Sequence, residues 1–237
     1  MSKFIAAMDH SGGSTGGVLE RYGQDYSEHD KMDKVHDMRL RMVNNPDFTN
    51  ENIWAAILYV DTVQRGMVPI LKSKGIETYL KIDGGCEDNG YLKYFKWDDM
   101  INLALYHRCS GTKMRSIVYA VDNIDMILDQ QFAMARHIGK SGLMPIVEPE
   151  IPIDHPDKHI VEHKLRDKLI RGLDSLKNKC ILKLTLPEQP NFYSNIMDHD
   201  QVHKVVGLSG GYSTAQACHM LSQQKNMSAS FSRALSE

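Results

Sequence analysis

No apolar run in this sequence approaches the roughly 18 residues that a membrane-spanning helix requires. The opening stretch, Met-Ser-Lys-Phe-Ile-Ala-Ala-Met-Asp, has no long apolar segment of the secretory kind. Cysteine is scarce and scattered. Cys86, Cys109, Cys180 and Cys218 show no paired spacing, which argues against a disulfide framework and against a cysteine-based metal site. Neither charge sign dominates: 28 Lys and Arg stand against 30 Asp and Glu, a formal net charge of −2. That balance gives no electrostatic footprint for nucleic acid or for an anionic membrane surface. These absences predict a soluble, cytoplasmic protein with reduced thiols, and leave room for an anionic small-molecule substrate, because a local cluster of Lys and Arg can exist inside a neutral total.

What is present is an alternation. Apolar runs at 4–9, 53–59, 78–83, 112–119, 143–147, 180–184, 204–208 and 228–232 read as strands. Segments of helical period lie between them at 31–43, 63–74, 98–108, 124–140, 158–176, 191–197 and 214–224. Eight strands separated by helices predict parallel β-α-β units, and the natural closure of eight is a (β/α)8 TIM barrel of the α/β class. The 237 residues suffice for one such domain spanning 1–237. An open doubly wound sheet is the rival, but it asks for a glycine-rich phosphate turn after the first strand. Ser11-Gly12-Gly13-Ser14 is a weak form of that turn. The sequence stops four residues after Arg233, so the helix expected after the eighth strand is missing. A different closure, a covering partner chain or a truncation are the alternatives, and a homo-oligomer is the expectation that follows.

Residues i and i+2 of a strand share a face, and several of these strands end in charges at that spacing. Lys81 and Asp83 are one pair, Lys113 and Arg115 a second, and Glu148 and Glu150 a third. Lys183 is followed by Thr185, and Asp9 closes the first run. A single strand-end charge reaching for solvent needs no explanation. Five strands sharing the habit do, because a charge within an apolar run is costly to bury unpaired. In a barrel all C-terminal strand ends meet at one mouth, where active sites of this fold lie. Asp9, Lys81, Lys113, Arg115, Glu148 and Lys183 are then expected in one mixed-charge cluster.

The residue types narrow the chemistry. No credible set of metal ligands occurs among these positions, so neither metal nor cofactor is expected and the electron sink is organic. Lys183 stands among apolar neighbours in Cys-Ile-Leu-Lys-Leu-Thr-Leu. Desolvation and a nearby Lys113 are expected to leave it partly as free amine. A free amine attacks a ketone to form an iminium that draws electrons from the adjacent C–C bond. Glu148 and Glu150 are candidates for the proton transfers. Leu-Ser-Gly-Gly-Tyr-Ser (208–213) ends the seventh run before a helix, so backbone N–H groups at Ser209, Gly210 and Gly211 are expected to receive an anion, with Arg233 beside them.

Taken together, these segments resemble the class I, Schiff-base-forming fructose-bisphosphate aldolases of the bacterial type. The likeness runs in order through 6–15 (Ala-Ala-Met-Asp-His-Ser-Gly-Gly-Ser-Thr), 35–39 (Val-His-Asp-Met-Arg), 80–83, 111–116, 145–150, 172–176, 182–187, 208–213 and 229–235. The resemblance implies that Lys183 forms the Schiff base, Glu148 accepts a proton and Asp9 handles the C4 hydroxyl. It implies charge stabilisation by Lys113 with Arg115 beside it. Ser209, Gly210 and Arg233 are implied to hold the phosphate of dihydroxyacetone phosphate, with Ser11, Ser14 and Lys81 toward a second phosphate. The implied reaction is reversible cleavage of fructose 1,6-bisphosphate in glycolysis or gluconeogenesis.

The chain also departs from that pattern. Gly16 and Gly17 replace a proline and a lysine, Gly84 replaces a lysine, and His10 follows Asp9. The helix that the family places before its first strand is lacking as well. The lost charges lie near the mouth, so a Schiff-base aldolase for a related sugar phosphate is the second reading. A non-catalytic barrel kept for binding is the third. His155, His159 and His163 are spaced by four but lack a completing carboxylate or cysteine, and read as a solvated helix face.

Overall fold

The apolar-to-charged stepping along each strand sets the layout of the protein. The structure, a computed structural model, describes residues 3–11 and 14–232, without the side chains of Ser14 and Arg21. Its eight strands are β1 (Phe4–Met8), β2 (Ile53–Leu58), β3 (Glu77–Lys81), β4 (Gly111–Ile117), β5 (Met144–Glu150), β6 (Cys180–Thr185), β7 (Val202–Leu208) and β8 (Ser228–Ala229). They form one sheet in the order of the chain, each parallel to the next. β8 returns beside β1, where Ser228 Oγ donates to the Lys3 carbonyl at 2.5 Å. This is a nearly closed (β/α)8 barrel.

Helices α1 (Ser14–Arg21) and α2 (Lys31–Asn44) follow β1, while α3 (Val60–Gln64) and α4 (Met67–Ser73) follow β2. Then α5 (Trp97–Tyr106), α6 (Ile124–Lys140), α7 (Lys158–Asp174), α8 (Ser194–Met197) and α9 (Thr214–Ser222) follow β3 to β7 in turn. α6 shows why these segments are helical. It buries Ile127, Leu128, Gln131, Phe132, Ala135 and Ile138, a stripe at helical spacing, against the outside of the barrel. Each large apolar side chain so covered contributes about 1.5–3 kcal/mol relative to exposure. Among the described residues no helix is long and apolar enough to cross a membrane.

Inside the barrel the stepping becomes two layers. Ile5, Ala55, Ile57, Tyr79, Ile146, Ile181 and Val206 fill the lower interior as an apolar plug. Two residues further along the same strands stand Ala7, Lys81, Glu148 and Lys183, and one step beyond come Asp9, Asp83, Glu150 and Thr185. Period-two geometry thus lifts a charged layer directly above an apolar floor.

Three local expectations fail. The segment 63–74 is not one helix: Gly66 at φ +87° breaks it into α3 and α4, a backbone state that glycine adopts without Cβ strain. α1 has no counterpart among the expected helices, because Gly16 and Gly17 weaken helical propensity. It forms because Val18 and Leu19 bury against Val35 and Met38 of α2. The histidine series does not share one helix face. α7 begins only at Lys158, so His155 lies outside it, its Nε2 on the Tyr119 carbonyl at 2.9 Å.

Candidate active site

At the C-terminal mouth the strand ends enclose a cavity of about 330 Å³. Its lining includes Asp9, Ser11, Lys81, Lys113, Arg115, Glu148, Glu150, Lys183, Ser209, Gly210 and Gly211. Ser14 opens α1 but its side chain lies outside the described residues, as does Arg233. His10, Leu208, Ser230 and Ser232 also line the cavity; all four fall within segments of the resemblance, though none is among the site residues expected from the sequence.

The centre is a chain of ion pairs. Lys183 Nζ is 3.0 Å from Glu148 Oε1, and the other oxygen of Glu148 is 3.1 Å from Lys113 Nζ. Lys113 Nζ in turn lies 2.7 Å from Asp9 Oδ2 and 3.7 Å from Asp83 Oδ2. From the sequence, Lys113 is expected near Lys183. In the structure Glu148 stands between them with one oxygen toward each, so the nearest charge to the Lys183 amine is a carboxylate.

Burial alone would push the Asp9 carboxyl up, but Lys113, Lys183 and Lys81 outweigh it and hold Asp9 well below the usual carboxylate range. Burial likewise works against the Lys113 ammonium, and the carboxylates of Asp9, Glu148 and Asp83 hold it well above the ordinary lysine value. Glu150 differs. Burial raises its carboxyl, Glu148 adds to the rise, and Arg115 only partly opposes them. Arg115 Nη1 lies 3.0 Å from Glu150 Oε2. Two neighbouring glutamates thus sit in different settings, one against two lysines and one against an arginine.

Toward the far side, Lys81 Nζ donates to Ser11 Oγ at 2.9 Å and lies 3.4 Å from Asp83 Oδ1. On the opposite side, Ser209, Gly210 and Gly211 form a tight turn in which the Tyr212 N–H bonds the Ser209 carbonyl at 2.9 Å. Gly210 and Gly211 have φ of +58° and +140°. A Cβ on Gly210 would stand 2.9 Å from Ile153 Cγ2, so both conformation and space require glycine there. The turn leads into α9, whose N-cap Ser213 forms a reciprocal capping box with Gln216.

Two contributors are not legible as site residues in the sequence. Arg39, fully buried on α2, donates from Nη2 to the His10 carbonyl at 2.8 Å and from Nη1 to Thr62 Oγ1 at 2.6 Å. It therefore braces the backbone just after Asp9, and burial brings its guanidinium down to about 10. The period of α2 puts Arg39 on the buried stripe, four residues from both Val35 and Val43, but does not show that its guanidinium reaches His10 and Thr62. Asp83 is visible as a strand-end charge at i+2 from Lys81, but its burial and its four partners are not.

No protein-family model matches the chain. Among solved structures, fructose-bisphosphate aldolase from Plasmodium falciparum superposes with a TM-score of 0.76 at 18% identity, covering 98% of this chain and 80% of that one. An archaeal fructose 1,6-bisphosphate aldolase gives 0.60 at 11% identity, covering 99% and 87%. The N-acetylmannosamine-6-phosphate 2-epimerase from Clostridium perfringens gives 0.50 at 8%, covering 97% and 86%. At such identities the likeness establishes the barrel fold, shared by enzymes of sugar-phosphate chemistry, and leaves the reaction to be argued from the site.

Proposed function

We propose that the protein is a class I aldolase that cleaves fructose 1,6-bisphosphate to dihydroxyacetone phosphate and glyceraldehyde 3-phosphate through a Schiff base on Lys183. The observation that carries the reading is Glu148, one oxygen on Lys183 Nζ at 3.0 Å and the other on Lys113 Nζ at 3.1 Å. An amine nucleophile, a carboxylate able to relieve it of a proton and a fixed cation are joined through Glu148 above an apolar floor.

In this reading Glu148 takes a proton from the Lys183 ammonium, and the free amine adds to the substrate ketone. The carbinolamine hydroxyl receives that proton and leaves as water, giving the iminium. Asp9, ionised and held by Lys113, takes the C4 hydroxyl proton. The electrons of the C3–C4 bond pass into the iminium as an enamine, and the aldehyde product departs. Protonation of the enamine carbon and hydrolysis of the regenerated iminium release the ketone product and restore Lys183. Lys113 is the fixed positive charge beside both proton-carrying carboxylates. The turn at Ser209–Gly211 offers its glycine-bared backbone to the C1 phosphate.

Incubation with dihydroxyacetone phosphate and borohydride, followed by peptide mass spectrometry, tests this directly. A reduced adduct on Lys183, lost in Lys183→Met, is the expected result; absence of an adduct at that lysine rejects the reading. A second reading, an aldolase indifferent to the far phosphate, is favoured by the engagement of Lys81 with Asp83 and Ser11.

A further inference from the structure

Asp83 lies one residue beyond Ile82, whose N–H bonds the Lys113 carbonyl at 2.9 Å. Its side chain is 1% exposed and does not line the cavity. It nevertheless touches the site from behind at four points. Oδ2 accepts from the Arg115 N–H at 3.1 Å and lies 3.7 Å from Lys113 Nζ, while Oδ1 accepts from the Gly85 N–H at 3.3 Å and lies 3.4 Å from Lys81 Nζ.

Lys113 is 3% exposed and has three carboxylate neighbours: Asp9, Glu148 and Asp83. Asp9 and Glu148 line the cavity and face whatever binds there. In any acid–base cycle they become neutral in turn, and each time the buried ammonium loses a counter-charge in a poorly solvated place. Asp83 has no route to substrate and so carries no proton for the reaction. Its charge is the constant one.

We infer that Asp83 is a positioning residue, a carboxylate walled off from the cavity that keeps the Lys113 ammonium charged and in place while Asp9 and Glu148 exchange protons. The same carboxylate orients Lys81 and ties the ends of β3 and β4 to each other. The inference rests on the aldolase reading for its catalytic consequence, but its electrostatic part can be tested without turnover.

The test uses Asp83→Asn, which removes the charge and keeps an acceptor oxygen for one of the two backbone N–H groups, those of Gly85 and Arg115. If Asp83 serves Lys113, kcat for cleavage falls at least about tenfold and the rate of adduct formation at Lys183 falls with it, because Glu148 exchanges its proton in that step as well. Asp83→Glu, which restores the charge, recovers most of that loss. Unchanged cleavage in folded Asp83→Asn overturns the inference, as does an Asp83→Glu variant equally impaired at the parent's Tm. Should Asp83→Asn fold poorly, Lys113→Met decides. With the ammonium gone, the Asp83→Asn loss in Tm shrinks in the double variant if the two charges are coupled. Strictly additive losses mean that Asp83 only caps backbone. A parent that gives no Lys183 adduct refutes the aldolase reading, and the Tm cycle then decides by itself whether Asp83 holds Lys113.

Discussion

Asp9 and Lys113, 2.7 Å apart, couple folding to pH in opposite directions. Asp9 is held below the ordinary aspartate value of 3.8, so its contribution to stability is present above 3.8 and lost as pH falls toward its folded value. Lys113 is held above the ordinary lysine value of 10.5. Its contribution is therefore present below 10.5 and lost as pH rises through the folded value. Between these limits both act in full. Asp9→Asn removes the acid-side contribution, so the gap in unfolding free energy between parent and variant narrows by about 1.4 kcal/mol for each pH unit below the ordinary aspartate value. Urea unfolding at pH 7 and pH 3 measures it. A gap of equal size at both pH values contradicts the pairing of Asp9 with Lys113.

The strands that carry Glu148 and Lys183 are held together by few groups. The β5–β6 ladder pairs Ile146 with Ile181 and Val147 with Leu182 and goes no further. Beyond the Glu148–Lys183 contact, Thr185 takes over: its Oγ1 accepts from the Ile151 N–H and donates to the Ile151 carbonyl, each at 2.9 Å. Thr185→Val keeps the shape and removes both bonds, leaving a buried N–H and C=O unpaired. A loss of about 1–3 kcal/mol in stability is expected, with a lower kcat as the pair loosens. Thr185→Ser, which keeps the hydroxyl, retains activity close to the parent. Equal activity in the valine and serine variants counts against the clamp. Strand order and parity are legible in the sequence: the period-two steps Ile5–Asp9, Tyr79–Lys81 and Ile146–Glu148 put the right side chains inward. Bounds are less legible. The strand expected at 143–147 runs on through Glu150, because β4 continues to pair with it, Ser116 opposite Pro149 and Ile117 opposite Glu150. The strand expected at 228–232 shortens to Ser228–Ala229. α1 and the break at Gly66 depend on tertiary burial and on a single φ, neither of which leaves a periodic trace.

On the scale of the whole molecule, the barrel supplies what local patterns cannot, namely which inward charges meet. Register sets Lys81 beside Lys113 and Arg115 beside Glu148, yet the contacts that matter run diagonally between neighbouring strands, from Lys113 and from Lys183 to Glu148, and across the mouth from Lys113 on β4 to Asp9 after β1. The sequence therefore discloses the members of the cluster and not its pairing, and it leaves Asp83 and Arg39 without a role. Pairing also bears on substrate choice. Lys81, Lys113, Arg115 and Lys183 face Asp9, Asp83, Glu148 and Glu150, so the described cluster is neutral and each of these four cations already has a carboxylate within 4 Å. Lys81, the described cation nearest Ser11, would have to leave Asp83 to meet a second phosphate. Gly84, next to Asp83, is overlaid by Phe95, whose ring would stand 3.0 Å from any Cβ added there. A far phosphate thus gains little that Asp83 does not already supply. The expected outcome is that fructose 1,6-bisphosphate and fructose 1-phosphate are cleaved with kcat/KM values within about tenfold, a difference of about 1.4 kcal/mol or less in transition-state binding. Lys81→Met should reduce the two alike. A bisphosphate preference of about a thousandfold, abolished by Lys81→Met, would mean that Lys81 exchanges Asp83 for the phosphate when substrate enters, and that binding re-pairs the cavity's charges.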